Sequence, residues 1–243
     1  MGILKNNVIN GIAYALATTG AIVGETRGME ELVLICRPAM MIILSSWFFF
    51  NSRRVGDRFT LLIQAGLFFS LVADVAFMLQ HYDEFNFLIG IGSMLIAILC
   101  YTIAFIHNIA DVGGEGMPLL SLGITIVVIT YAFLFGTRSM PYMDEGIGLP
   151  MLIYATAMTC MSIAAAFRAG RTFIRSFLMV LIGTFFFIAS GSIMGTNRFM
   201  AALDHSAWSV TLTYAIAQYL IAAGCLAHVL DPEEIRRKAA LSA

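Results

Sequence analysis

Long apolar runs alternate with short polar or glycine-rich breaks along the whole chain. They predict spans at about 8–24, 32–50, 60–80, 87–107, 118–136, 150–167, 173–194 and 207–230. Each run is long enough to cross a hydrocarbon core as an α-helix. A barrel would need polar and apolar positions in strict alternation, and a stretch such as IVVITYAFLF does not alternate that way. Helices also pair every backbone group within one segment, as a bilayer demands. The connections are short, so sequence neighbours should run antiparallel in one bundle. Residues 1–243 therefore read as a single all-α integral-membrane domain of about eight transmembrane helices.

Composition narrows this further. Charged residues make up 12% of the chain, hydrophobic residues 60%, and the mean hydropathy is +0.87. A soluble domain with so little polar surface could not cover its core, and a disordered chain needs the opposite balance. The net charge of -1, without any long basic run, points away from nucleic acid. Cys36, Cys100, Cys160 and Cys225 lie far apart inside apolar segments and read as packing residues. The histidines lack metal-ligand spacing, and GxSxG and P-loop motifs are absent, so neither a metal nor a cofactor is expected. The first apolar stretch reads as a retained span, because no charged segment and small-residue cleavage site frame it.

Lys and Arg set the expected orientation. Lys5, Arg53, Arg54, Arg58, Arg168, Arg171, Arg175, Arg236, Arg237 and Lys238 fall on one side of an even-numbered bundle. Arg27, Arg138 and Arg198 fall on the other. Both termini are therefore expected to be cytoplasmic. A weak internal echo accompanies this pattern. Gly66-Leu67-Phe68-Phe69 leads to Asp74, and Gly183-Thr184-Phe185-Phe186 leads to Gly191, at one common offset. The two segments are four spans apart, as in a parallel four-plus-four repeat.

Two charged residues stand out against the bilayer. Asp74 is the acidic residue well within a span, and the other acids read as loop or tail residues. A carboxyl in hydrocarbon should face the bundle interior and meet a partner, and its neutral form can donate a proton. Arg37 lies inside span 2 beside Pro38, roughly 8 Å from the outer face by helical rise, and Asp74 lies at roughly 9 Å in span 3. The two could meet, or Arg37 could snorkel to the outer phosphates. Its guanidinium suits a phosphate in either case. Tyr131, Tyr154, Ser190 and Tyr214 fall at similar depth, and Gln218 follows Tyr214 by one turn on the same face. Asn197 and Arg198 close the outer end of span 7. Together these residues predict a polar pocket opening to the outer leaflet, although each tyrosine alone suits an interfacial belt.

Several stretches, in this order, resemble the YhhN-like membrane proteins, the lysoplasmalogenase family. Arg37-Pro38 opens span 2 where that family commonly has Lys-Pro. GLFFSLVADVAFM at residues 66–78 is similar to its most recognisable segment, and FLIGIGSMLIAILCYTIAF follows at 87–105. GTFFFIASGSIMGTNRF at 183–199 and TYAIAQYLI at 213–221 resemble its last two spans. Two positions depart from the family pattern: Ser190-Gly191 stands where Ser-Asp is usual, and Ile98 where a His often precedes the span 4 tyrosine, Tyr101. The resemblance implies hydrolysis of the vinyl ether bond of a lysophospholipid. Asp74 would be the catalytic acid. Arg37, Tyr101, Tyr154, Ser190, Asn197, Tyr214 and Gln218 would bind or shape the substrate. The departures at Gly191 and Ile98 leave open a non-catalytic lipid-binding or lipid-sensing relative, and the possible four-plus-four repeat with its single buried acid leaves open a small transporter. Headgroup and oligomeric state are left undetermined.

Overall fold

A computed structural model describes residues 5–52, 57–83, 85–112, 115–143 and 145–231. Its helices are α1 (Asn7–Arg27), α2 (Glu30–Ser52), α3 (Arg58–Met78), α4 (Phe85–Val112), α5 (Pro118–Ser139), α6 (Glu145–Ala166), α7 (Ile174–Gly195) and α8 (Ser206–Val229). All eight carry a segment long and apolar enough to cross a membrane. The chain is thus an all-α, multi-pass membrane protein, as its hydropathy predicts. The α1–α2, α3–α4, α5–α6 and α7–α8 connections mark what we term the upper end. The α2–α3, α4–α5 and α6–α7 connections mark the lower end.

Local chemistry sets the helix ends. The Asn6 side chain accepts from the backbone N–H groups of Val8 and Ile9 and starts α1. Asp57 does the same for Thr60 at the start of α3, at 2.9 Å. Pro118 sits in the first turn of α5, where its missing N–H costs nothing. Gly28, at φ 66°, ends α1 in a left-handed cap. That cap lies beyond the predicted end of span 1, so Glu25 belongs to a helix rather than to a loop.

Helix neighbours repeat under a shift of four. α1–α2, α2–α3 and α3–α4 have counterparts in α5–α6, α6–α7 and α7–α8, and α4–α6 has its counterpart in α8–α2. The pairing breaks at α5. α1 packs on α8, whereas α5 leans chiefly on α6 and is the least buried of the spans. The two tightest pairs, α3–α4 and α7–α8, are drawn together by glycine. A Cβ at Gly66 would overlap the Tyr101 ring. A Cβ at Gly183 would stand 2.9 Å from Ile221 Cγ1, and one at Gly224 would stand 2.8 Å from Val180 Cγ2. Small residues at such crossings let backbones approach where the hydrophobic effect offers no drive between helices.

Arg168 departs from its sequence reading. Expected as a charge at a loop surface, it is fully buried in the α6–α7 turn. Its Nε donates to Asn108 Oδ1 of α4, and its Nη2 donates to Ser176 Oγ of α7, both at 2.8 Å. The guanidinium carbon lies 5.3 Å from the Phe105 ring centroid. Asn108 Nδ2 meets His228 Nε2 of α8 at 2.7 Å. Desolvation pushes the Arg168 pKa down to about 10, which leaves the group charged at neutral pH. Four elements therefore share one buried cation at the lower end. Arg53, Arg54, Arg236, Arg237 and Lys238 lie outside the described residues.

Two substitutions test this packing through thermal unfolding in detergent. Gly224→Leu should destabilise by about 1–3 kcal/mol through overpacking of α7 against α8. Arg168→Ala should cost about 1–3 kcal/mol, because Asn108 and Ser176 each lose a buried hydrogen-bond donor.

Candidate functional site

One stripe of α8 carries the polar interior. Thr211, Tyr214 and Gln218 recur at helical spacing and face the bundle. Each meets a different helix. Thr211 Oγ1 donates to Glu25 Oε1 of α1 at 2.7 Å. Tyr214 Oη donates to Asp74 Oδ2 of α3 at 3.1 Å. Gln218 Nε2 donates to Ser70 Oγ of α3 at 3.0 Å, and its Oε1 accepts from Tyr101 Oη of α4 at 2.9 Å. Ser70 and Asp74 are one turn apart on α3, as Tyr214 and Gln218 are on α8. The two helices therefore join through two rungs at matched spacing. Ser70, Asp74, Tyr101, Tyr214 and Gln218 are all buried, with Asp74 2% exposed. The ring of Phe187 meets that of Tyr214 edge-on at 5.9 Å, and Tyr14 Oη of α1 donates to the Ala215 carbonyl at 2.8 Å.

Above the ladder, a cavity of about 610 Å³ opens at the upper end. Its wall includes Glu25, Glu30, Arg37, Asn197 and Arg198, and Phe77 lies between it and Asp74 along α3. Arg37 Nε stands 3.8 Å from Glu25 Oε1, with both side chains largely buried. The Arg198 guanidinium carbon lies 4.6 Å from the Phe87 ring centroid. Asn197 Oδ1 accepts from the Leu203 backbone N–H at 2.9 Å, which fixes the turn after α7. The cavity is thus an amphipathic cup with both signs of charge and an aromatic side.

The model of the YhhN family matches the chain over residues 32–225. The chain belongs to the YhhN family. No curated protein and no solved structure matches it.

Within this YhhN protein the residues singled out from sequence fall into three groups. Asp74, Tyr101, Tyr214 and Gln218 join in the buried ladder. Arg37 and Asn197 line the cavity above it. Ser190 and Tyr154 stand apart from the hydrogen bonds of the ladder. Ser190 Oγ donates to the Val210 carbonyl at 3.1 Å and serves the α7–α8 seam. Tyr154 is buried on α6. Arg37 and Asp74, whose matching depth left open that they meet, form no ion pair. α1 runs on to Arg27, and so Glu25 reaches Arg37 first. Gly191 faces α6, where a Cβ would stand 3.0 Å from Met158 Cε.

Sequence reasoning missed Glu25, Ser70 and Thr211. Glu25 sits beyond the last strongly apolar residue of span 1, so hydropathy ended the helix too soon. Gly28 was the available signal, since a glycine at that place caps a helix reaching Arg27. Ser70 and Thr211 are short polar residues of a kind that often bond to their own helix, and nothing in one sequence separates the two uses.

The ladder makes a specific energetic claim. Tyr214→Phe and Asp74→Ala should each lower stability in detergent, since each removes one partner of the hydrogen bond. The double variant should be less destabilised than their sum by about 1 kcal/mol, the worth of one buried hydrogen bond. Strict additivity would mean that the two groups do not act on each other.

Proposed function

We propose that the protein is a lysoplasmalogenase-like membrane hydrolase that cleaves the vinyl ether bond of a lysolipid by acid-catalysed hydration. The observation that carries this reading is a buried carboxyl, Asp74, gripped by Tyr214 one turn beneath an amphipathic cavity. The family assignment is in keeping with it.

The chemistry needs one well-held acid. The Asp74 carboxyl gives its proton to the alkene carbon not bonded to oxygen, and the other alkene carbon becomes an oxocarbenium centre. Water adds to that centre and loses a proton, which restores the acid. The resulting hemiacetal collapses to a fatty aldehyde and a glycerophospho-alcohol. Tyr214 orients the carboxyl through its hydroxyl. Tyr101 and Gln218 hold the next rung and keep the ladder in register. Arg37 takes the phosphate at the cavity wall, Asn197 shapes the rim, and Tyr154 and Ser190 pack the neighbouring helices. The substrate enters from the outer half of the bilayer, with both termini cytoplasmic, in keeping with the Lys and Arg distribution.

A second reading, a lipid-binding protein without turnover, draws on one observation. Gly191 packs against Met158 and offers no second carboxylate beside Asp74. Transport is disfavoured. Below Gln218 the interior closes over Ile63, Leu67, Phe105 and Ile221, all fully buried. The Arg168 cluster lies roughly 15 Å further along α8 by helical rise.

Aldehyde release by the purified protein from a lysolipid bearing a vinyl ether separates the two readings. Asp74→Asn should lower the rate by about 100- to 10,000-fold, the usual contribution of a general acid. Wild-type protein that binds the lysolipid and releases no aldehyde would establish the second reading instead.

A further inference from the structure

Glu25 belongs to no part of the hydrolytic scheme, and it lies outside residues 32–225 that match the family model. Yet α1 delivers it to the cavity wall as a largely buried carboxylate. Its Oε1 is held by Thr211 Oγ1 at 2.7 Å and faces Arg37 Nε at 3.8 Å. Arg37 Nε is itself buried and has no hydrogen-bond partner of its own. The carboxylate of Glu25 is therefore the counter-charge that fixes this side of the guanidinium.

An arginine roughly 8 Å below the outer face has an alternative, which is to extend its stem and carry its charge up to the interface. Glu25 opposes that movement. It engages the Nε edge and leaves the terminal nitrogens to the cavity that Arg37 lines. Thr211 keeps Glu25 in place, and Thr211 lies three residues before Tyr214 on the same stripe of α8. The cavity wall and the Asp74 rung thus hang on adjacent turns of one helix.

We propose that Glu25 is a positioning residue that holds the Arg37 guanidinium against the cavity and so sets the affinity for the phosphate of a lysophospholipid. This rests on Arg37 being the phosphate ligand of the function proposed above. It adds α1 to the site and gives the phosphate contact a second residue through which it can be tuned.

Binding, rather than turnover, tests it. The probes are a lysophosphatidylethanolamine with an ester-linked saturated chain, which offers no vinyl ether, and a monoacylglycerol of the same chain, which lacks the phosphate. Glu25→Gln should weaken the phospholipid about tenfold and leave the monoacylglycerol within about twofold. Thr211→Val should act in the same direction and less strongly, and Glu25→Asp should recover part of the loss. Glu25→Gln combined with Arg37→Gln should bind no worse than Arg37→Gln alone, since Glu25 acts through Arg37. Glu115→Gln, a charge change at the lower end, controls for net charge.

Phospholipid binding by Glu25→Gln as tight as wild type, or tighter, would overturn the inference. So would an equal loss for both lipids, which marks a general structural role, or a wild-type protein indifferent to the phosphate. Absence of aldehyde release from a vinyl ether substrate, with the binding pattern intact, would count against the hydrolase alone.

Discussion

A carboxyl at hydrocarbon depth must be met by a donor, and the architecture answers that demand from one helix. α8 turns Thr211, Tyr214 and Gln218 inward and gives each a separate partner on α1, α3 or both α3 and α4. A polar group left unpaired in such a setting costs several kcal/mol. The rungs therefore fix where α3 and α8 stand along each other's length. Once that register is set, the cavity above Asp74 and the apolar seal beneath Gln218 follow from it.

Glycine sets the helix pairs that flank the rungs. Ser70 is short, and the longer Gln218 side chain spans the gap from α8 to reach it. Gly66 lets the Tyr101 ring lie against α3, and Gly183 and Gly224 bring α7 against α8. Phe187 of α7 then supports the Tyr214 ring from the side. Polar satisfaction and close packing are in this sense one arrangement. The glycines supply the distance, and the hydrogen bonds select one register at that distance.

Much of this was legible in the chain. Eight apolar runs gave the helices, because a bilayer leaves a long apolar segment few alternatives. Asp74, Tyr214 and Gln218 could be grouped by depth, since helical rise converts residue number into position along the membrane normal. Rotation about the helix axis was harder to read. Hydropathy varies little around these helices, so it did not show that Ser190 turns to the α7–α8 seam or that Arg168 folds inward. The Glu25–Arg37 pair was hidden for another reason. It depends on one extra helical turn in α1, set by a glycine cap and not by an apolar residue.

The buried arginine at the lower end bears on how the molecule is made. Its two side-chain acceptors come from α4 and α7, and Asn108 is in turn held by His228 near the end of α8. During synthesis Arg168 emerges before two of these helices exist. The guanidinium can make both of its hydrogen bonds only once α7 is in place, and Asn108 meets His228 only once α8 has followed. The cation in the α6–α7 turn is thus satisfied partly by chain made after it, so the order of synthesis and the order of satisfaction run the same way.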